Sequence, residues 1–200
     1  MKIKHNYEPW EYMEIEDFLP PDRFQELQDQ AKTQLENYYS QGSNTPRGKY
    51  IHFLKEDIIP EFNPIFDLLP RRESTGKLKK INHWAVTPPG VHYPTHIDNK
   101  SRFSTITFYV SPEKNSGTII CKNPSINDNG DHCSPDLPTE SEVEIEWKPN
   151  KIFLHCGGPG KWHRYYGNEN YGPRIIISAF LVQPDLIIKG RQDLDYLIDI

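Results

Sequence analysis

At 200 residues the chain is long enough for one hydrophobic core and short for two. Its formal charge of −5 is spread without a basic run, so it gives no electrostatic footprint for a phosphate backbone and argues against a nucleic-acid substrate. No apolar run reaches the roughly 18 to 20 residues of a membrane span, and no apolar stretch follows the Met1-Lys-Ile-Lys4 start, so a cytoplasmic protein is expected.

From Asp22 to about Tyr38, the apolar positions Phe24, Leu27, Ala31 and Leu35 follow helical spacing. Asp22 and Gln25, just after Pro20 and Pro21, have the pattern of a capping box. Tyr50 to Leu69 is apolar enough for a second helix (Ile58, Ile59, Phe62, Phe66), which Pro60 and Pro64 must break or kink. Beyond Lys79 the signals become those of strands. Ser104 to Val110 and Arg174 to Val182 are β-branched and aromatic runs suited to buried strands. Val143, Ile145 and Trp147 alternate with Glu142, Glu144 and Glu146, which predicts a half-buried strand. Between these runs, residues 122–140 are almost purely polar, with Asn129-Gly130 as a turn signal and Pro124, Pro135 and Pro138 as breakers. A surface insertion and a lid are equally open readings of that segment.

Several short strands divided by Gly, Pro and Asn turns, after N-terminal helices, predict a mainly β (α+β) fold with a double-stranded β-helix, or jelly-roll, core. One domain is expected over residues 1–200, with a helical part at about 14–72 and the jelly roll at about 79–183. The three cysteines, Cys121, Cys133 and Cys156, are odd in number and form no C-x-x-C, so free thiols are expected.

One constellation specifies a chemistry. In Tyr93-Pro-Thr-His96-Ile-Asp98, side chains at i and i+2 of an extended strand share a face, so His96 and Asp98 can offer an imidazole nitrogen and a carboxylate oxygen to one metal ion. His163 would join them from a distant strand. Two His and one carboxylate on one face of an octahedral ion, with open positions opposite, is the signature of non-haem Fe(II) oxygenases. Alone, H-x-D is a weak signal in a chain with 8 His. His83, His92, His132 and His155 compete for the ligand role; of these, His92 is separated from His96 by the helix-breaking Pro94, and His132 lies in the polar segment beside Cys133. The Asp131-His132-Cys133 group with Cys121 fits no common zinc spacing. His155, after the apolar Ile152-Phe-Leu154, is the strongest rival to His163, which could itself be a core histidine between Trp162 and Tyr165. Arg174 follows His163 by eleven positions and opens an apolar strand, where burial is costly unless an anion meets it. Its guanidinium fork matches a carboxylate, with an ion pair to a nearby acid as the alternative.

Further segments lie in order around these residues. They are Glu16-Asp-Phe-Leu-Pro-Pro-Asp22, Gly90-Val-His-Tyr93 leading into His96 and Asp98, and Arg102-Phe-Ser-Thr105-Ile-Thr-Phe-Tyr109. Lys148 to Leu154, Trp162-His163 and Pro173-Arg174-Ile-Ile-Ile-Ser178 complete the set. Together, over roughly residues 14 to 183, they resemble the iron(II)/2-oxoglutarate dioxygenases, most closely the prolyl-4-hydroxylase-like branch. The resemblance implies His96, Asp98 and His163 as ligands to Fe(II), and 2-oxoglutarate and dioxygen as cosubstrates. It implies that Arg174 holds the distal carboxylate of 2-oxoglutarate and that Tyr109 donates its hydroxyl to the same group. Ser178 shares strand parity with Arg174 and is a further candidate for binding 2-oxoglutarate, although the related pattern would put Ser at position 176, where this chain has Ile176. The implied activity is hydroxylation of an unactivated C–H bond, most readily of an amino-acid side chain, free or in a peptide or protein. Retention of Asp98 favours hydroxylation over halogenation. Phe180 stands where the nucleic-acid demethylase branch has a second Arg. Tyr93, Trp84 and Trp162 are candidate substrate-pocket residues, with core packing as the other explanation. Two further readings stay open: a cupin-like metalloprotein of non-oxygenase chemistry, and a non-catalytic binding or sensor domain.

Overall fold

A computed structural model describes residues 1–122, 140–187 and 192–200 of the chain. The reading of 122–140 as lid or insertion, with Asp131, His132 and Cys133, falls almost wholly outside these residues.

Antiparallel strands carry the architecture. In chain order they are β1 (Lys2–Asn6), β2 (Tyr12–Glu16), β3 (Tyr50–Leu54), β4 (Lys79–Thr87), β5 (His92–His96), β6 (Arg102–Ser111), β7 (Thr118–Lys122), β8 (Glu140–Ile145), β9 (Lys151–Cys156), β10 (Trp162–Tyr166) and β11 (Arg174–Val182). A larger sheet has the order β1-β2-β9-β6-β11-β4-β3 and a smaller one the order β5-β10-β7-β8. From β4 onward the chain passes repeatedly between the two sheets, so residues far apart in sequence meet on their inner faces.

Period-two alternation explains the layering. On one face of the larger sheet Trp84, Phe108, Leu154 and Ile177 pack with Leu27 and Ala31 of helix α1 (Pro21–Gln41) and with Phe62 and Phe66. On the other face Tyr12, Ala85, Phe153 and Ile176 meet Ile120 and Ile145 of the smaller sheet. Each fully buried Leu, Ile or Phe among them contributes about 1.5–3 kcal/mol through burial.

Helix α1 buries Leu27 and Ala31, and Phe24 and Leu35 pack partly against the same core, as their spacing predicts. The expected capping box does not form. Pro21 occupies the first turn, so Asp22 lies inside the helix rather than before it, and Pro20 is the cap with no side-chain bond. Gln25 donates instead to Asp29 at 3.2 Å.

The second expected helix divides in two. Tyr50–Leu54 pairs with β4 as a strand, and only Pro60–Asp67 is helical, as a 3-10 helix with Pro64 inside it. The missing proline N–H groups favour this short, tight form over an α-helix. The N-terminal part is therefore not all helical, because β1, β2 and β3 extend the larger sheet at its two edges. β1 escaped the sequence pattern because it is an edge strand with Lys2 and Lys4 exposed. The predicted alternation of β8 holds, with Ile145 and Trp147 buried and Glu142, Glu144 and Glu146 exposed. No helix of the described residues is long and apolar enough to cross a membrane.

Candidate metal centre

Two sharp backbone features deliver the site residues. Gly90 adopts φ +74° in the turn that feeds β5, a conformation other residues rarely take. Gly157, just after β9, approaches the Arg102 carbonyl so closely that a Cβ would lie 2.2 Å from its oxygen. This contact packs the end of β9 against the start of β6.

His96 closes β5, Asp98 follows it by two, and His163 sits directly opposite His96 in the β10–β5 register. The imidazole centroids are 4.2 Å apart. One potential donor atom from each of His96, Asp98 and His163 lies within 4.8 Å of the other two, as a single metal ion requires. Each ring is also oriented. Nδ1 of His96 is 2.9 Å from the Pro94 carbonyl oxygen and Nδ1 of His163 is 3.0 Å from that of Lys161. A carbonyl can only accept, so both Nδ1 atoms carry the proton and both Nε2 lone pairs are left for a metal. Burial, reinforced by neighbouring His163, holds the His96 pKa well below its ordinary value, so the ring is neutral and able to ligate.

Asp98 is held on both oxygens. Arg102 Nη1 donates to Oδ1 at 2.5 Å, and the Thr105 hydroxyl donates to Oδ2 at 2.6 Å. Burial acts to raise the carboxyl pKa, but the net shift is downward, with the Arg102 guanidinium the largest opposing influence. The group is an anion with a fixed orientation.

His155, the rival ligand, lies beside the centre and outside this donor set. Its Nε2 is 3.6 Å from Asp98 Oδ2, its ring centroid is 5.0 Å from that of His163, and its burial lowers its pKa to about 3.

Arg174 is 1% exposed. Nη2 donates to the Thr118 hydroxyl at 3.2 Å, while Nε and Nη1 are buried without a partner. The rings of Tyr165, Trp147 and Tyr109 surround the guanidinium at 4.3, 5.3 and 5.5 Å. Among the described residues no carboxylate forms a salt bridge with it, so the ion-pair alternative has no support there. A buried cation with two unpaired donors is costly as it stands and well suited to an incoming anion.

These groups share a cavity of about 130 Å³. Arg174, Ile176, Ser178 and Phe180 line it from alternate positions of β11, with His83 and Ala85 from β4 and Tyr93 and Tyr165 from the smaller sheet. Of the candidate pocket residues, Tyr93 is in this wall, stacked on Tyr165 at 5.6 Å and edge-on to His96 at 4.5 Å. Trp84 and Trp162 are not. Parity decides both: His83 and Ala85 face the cavity, so Trp84 faces α1, and His163 faces inward, so Trp162 packs against Ile97 and Cys121. Tyr109 lies behind the cavity wall, stacked on Trp147, and its hydroxyl donates at 3.0 Å to the same Thr118 oxygen that receives Arg174. Cys121 and Cys156 are free and buried.

Sequence reasoning assigned no role to Thr118, Tyr165 or Lys49 and weighed His83 only as a competing metal ligand; all four line the cavity, and His83 lies outside the donor set. Tyr165 had a detectable signal, since it shares strand parity with His163. Thr118 and Lys49 had none, because tertiary folding alone brings them in.

No family model and no curated protein matches this sequence. Solved structures do match. A prolyl-4-hydroxylase from Pseudomonas putida aligns with TM-score 0.59 and 14% identity over 86% of this chain and 92% of that one. A Trichoplax adhaerens prolyl hydroxylase, solved with a hypoxia inducible factor peptide fragment, aligns with TM-score 0.59 and 16% identity over 90% and 87%. The epimerase SnoN of nogalamycin biosynthesis, solved with Fe3+, alpha ketoglutarate and nogalamycin RO, gives TM-score 0.59 and 12% identity over 94% and 90%. The chain therefore has the fold of the iron/2-oxoglutarate oxygenase structures, prolyl hydroxylases included, at an identity where the likeness is one of fold.

Proposed function

We propose that this protein is an Fe(II)/2-oxoglutarate-dependent dioxygenase that hydroxylates an unactivated C–H bond. The substrate class we favour is an amino-acid side chain, free or in a peptide or protein. The observation that carries the reading is a pair of features in one cavity: a donor triad with both Nε2 atoms free, and a buried guanidinium with two unpaired nitrogens. A binding module has no need of either, and a cupin-like enzyme of other chemistry has no need of the second. The repeated passage of the chain between two sheets supports a jelly-roll core, which we take to form one cytoplasmic catalytic unit over residues 1–200.

In this reading His96, Asp98 and His163 hold Fe(II), which together with 2-oxoglutarate and dioxygen supplies the oxidising chemistry and releases succinate and carbon dioxide. Arg102 and Thr105 keep Asp98 ionised and aimed. The backbone carbonyls of Pro94 and Lys161 keep the two imidazoles in the ligating tautomer. Arg174 receives the distal carboxylate of 2-oxoglutarate on Nε and Nη1. Thr118 takes up its third nitrogen, and Tyr109 acts on the same end of the cavity through Thr118. Ser178 is four residues along β11, about 13 Å by strand rise, too far to share that carboxylate. Tyr93 and Tyr165 wall the metal from water. Because SnoN is an epimerase and SnoK, of TM-score 0.56, a carbocyclase, hydroxylation rests on the intact triad and the resemblance to prolyl-4-hydroxylases.

Anaerobic reconstitution with Fe(II) followed by 2-oxoglutarate tests this without a substrate. A weak visible charge-transfer band is expected in wild type and not in His163→Ala. Protein shown to contain iron but lacking the band would overturn the assignment.

A further inference from the structure

His83 lies in the same cavity wall and has no part in holding iron or 2-oxoglutarate. It is 7% exposed, and its Nδ1 is buried without a partner. Two aromatic rings fix the imidazole, Phe53 edge-on and Phe180 tilted, each at 5.3 Å between centroids. Phe53 is in turn stacked on Tyr196 at 5.2 Å. A ring so tightly oriented, with a nitrogen left unsatisfied beside a cavity, is an unusual use of a core histidine.

Its neighbours are also donors. Ser178 is opposite His83 in the β11–β4 register and lines the cavity beside it. Arg102 lies 3.6 Å over the Phe180 ring while its Nη1 holds Asp98, so the aromatic group around His83 abuts the metal centre. Buried among Arg102 and other cavity groups, His83 stays neutral and keeps one N–H to donate. Asp98 is the sole carboxylate among the described residues of the lining, and Arg102, Thr105 and the metal take it. A substrate ammonium group therefore finds no counter-charge here. With Fe(II) and the 2-oxoglutarate dianion in place, the charges of iron, Arg174, Arg102 and Lys49 exceed those of 2-oxoglutarate and Asp98 by two.

We propose that His83, Ser178 and Arg102 form the substrate subsite, and that the group they hold is a carboxylate of the substrate. This inference rests on the dioxygenase reading and narrows it, from amino-acid side chains in general to amino acids or acylated amino acids whose own carboxylate is free. His83 acts as a positioning residue. It sets which C–H bond faces the metal.

The test is calorimetry on protein loaded with Mn(II) and 2-oxoglutarate in the absence of dioxygen. The probes are the common L-amino acids, free and N-acetylated, each as the acid and as its primary amide. At least one acid is expected to bind, with its amide about tenfold or more weaker. His83→Phe, which keeps an aromatic ring between Phe53 and Phe180, is expected to weaken the acid to a similar degree. His83→Gln, which restores an N–H donor, is expected to recover most of the binding. Both variants should bind 2-oxoglutarate within about twofold of wild type. Equal binding of acid and amide, no acid binding at all, or wild-type affinity in His83→Phe would each overturn the proposal. Because the acid and amide comparison is made on wild type, it stands even if a variant does not fold. Failure of Mn(II)-loaded wild type to bind 2-oxoglutarate would instead sink the dioxygenase reading itself.

Discussion

Replacing Arg174 by Met separates a ligand-binding guanidinium from a structural one, because the two roles predict opposite signs. The side chain is 1% exposed, it makes one hydrogen bond, to Thr118, and two of its nitrogens have no partner. Without 2-oxoglutarate it is a desolvated cation whose burial is poorly compensated, and desolvation lowers its pKa. A methionine of similar reach, surrounded by Tyr165, Trp147 and Tyr109, removes that cost, so stability of the metal-free protein should stay level or rise. Loss of a buried bidentate partner for the carboxylate should cost about 3–5 kcal/mol of binding. That converts to a roughly 10²- to 10⁴-fold rise in the 2-oxoglutarate dissociation constant. Arg174→Lys should recover only part of it, since an ammonium cannot form the parallel pair of bonds. The assays are urea unfolding of metal-free protein and calorimetric titration of Mn(II)-loaded protein with 2-oxoglutarate. Destabilisation by more than about 2 kcal/mol together with unchanged 2-oxoglutarate affinity would refute the reasoning, because breaking a structural buried pair costs on that scale.

Other outcomes follow from the same geometry. His96→Ala, Asp98→Ala and His163→Ala should each abolish stoichiometric iron binding while circular dichroism reports a folded chain. His155→Ala should keep full stoichiometry, with affinity reduced about 10- to 100-fold, since its ring touches the Asp98 carboxylate from outside the donor set; complete loss of metal in that variant would reverse the ligand assignment. His83 has its pKa lowered to about 3 by burial, with Arg102 and Lys49 adding to the effect. The unfolded chain, with an ordinary value near 6.5, then binds a proton that the folded one refuses, so the stability His83 allows at neutral pH is lost as pH falls from about 6.5 toward 3. Between pH 7 and pH 4.5 metal-free wild type should lose about 2.5 kcal/mol more than His83→Phe, and parallel urea curves at the two pH values would contradict this if the difference is absent. Trp84→Ala should destabilise by about 3–5 kcal/mol, because the side chain is buried against α1. The charge-transfer band of surviving folded protein should be unchanged, since Trp84 does not reach the cavity.

Much of the molecule was legible because it is written in period. The stripe of Phe24, Leu27, Ala31 and Leu35 marks α1, and β6, β8 and β11 show their alternation or their β-branched runs. Where local signal and tertiary context disagreed, context prevailed. Tyr50–Leu54 reads as part of an apolar helical stretch but pairs with β4, since an apolar run of that length carries no period of its own. Polar β1 exists only because β2 offers it an edge. Parity, known from the sequence, was already sufficient to exclude Trp84 and Trp162 from any face shared with His83 and His163, yet which face is the inner one depends on the opposing sheet.

The sequence by itself determined the chemical vocabulary: an H-x-D strand, a later His, and an Arg heading an apolar strand, with types and parity fixed by covalent order. Only the tertiary structure decided which later histidine joins the triad. His155 and His163 both follow apolar or aromatic residues, but the β10–β5 register sets His163 across from His96, while β9 brings His155 up behind Asp98. It also decided that Arg174 meets a hydroxyl rather than an acid, and that His83, with its Nδ1 buried and unpaired, lines the same cavity. The physical reason is that strand pairing and burial are set by contacts between segments remote in sequence, whereas residue type and periodicity report only what each segment can do alone.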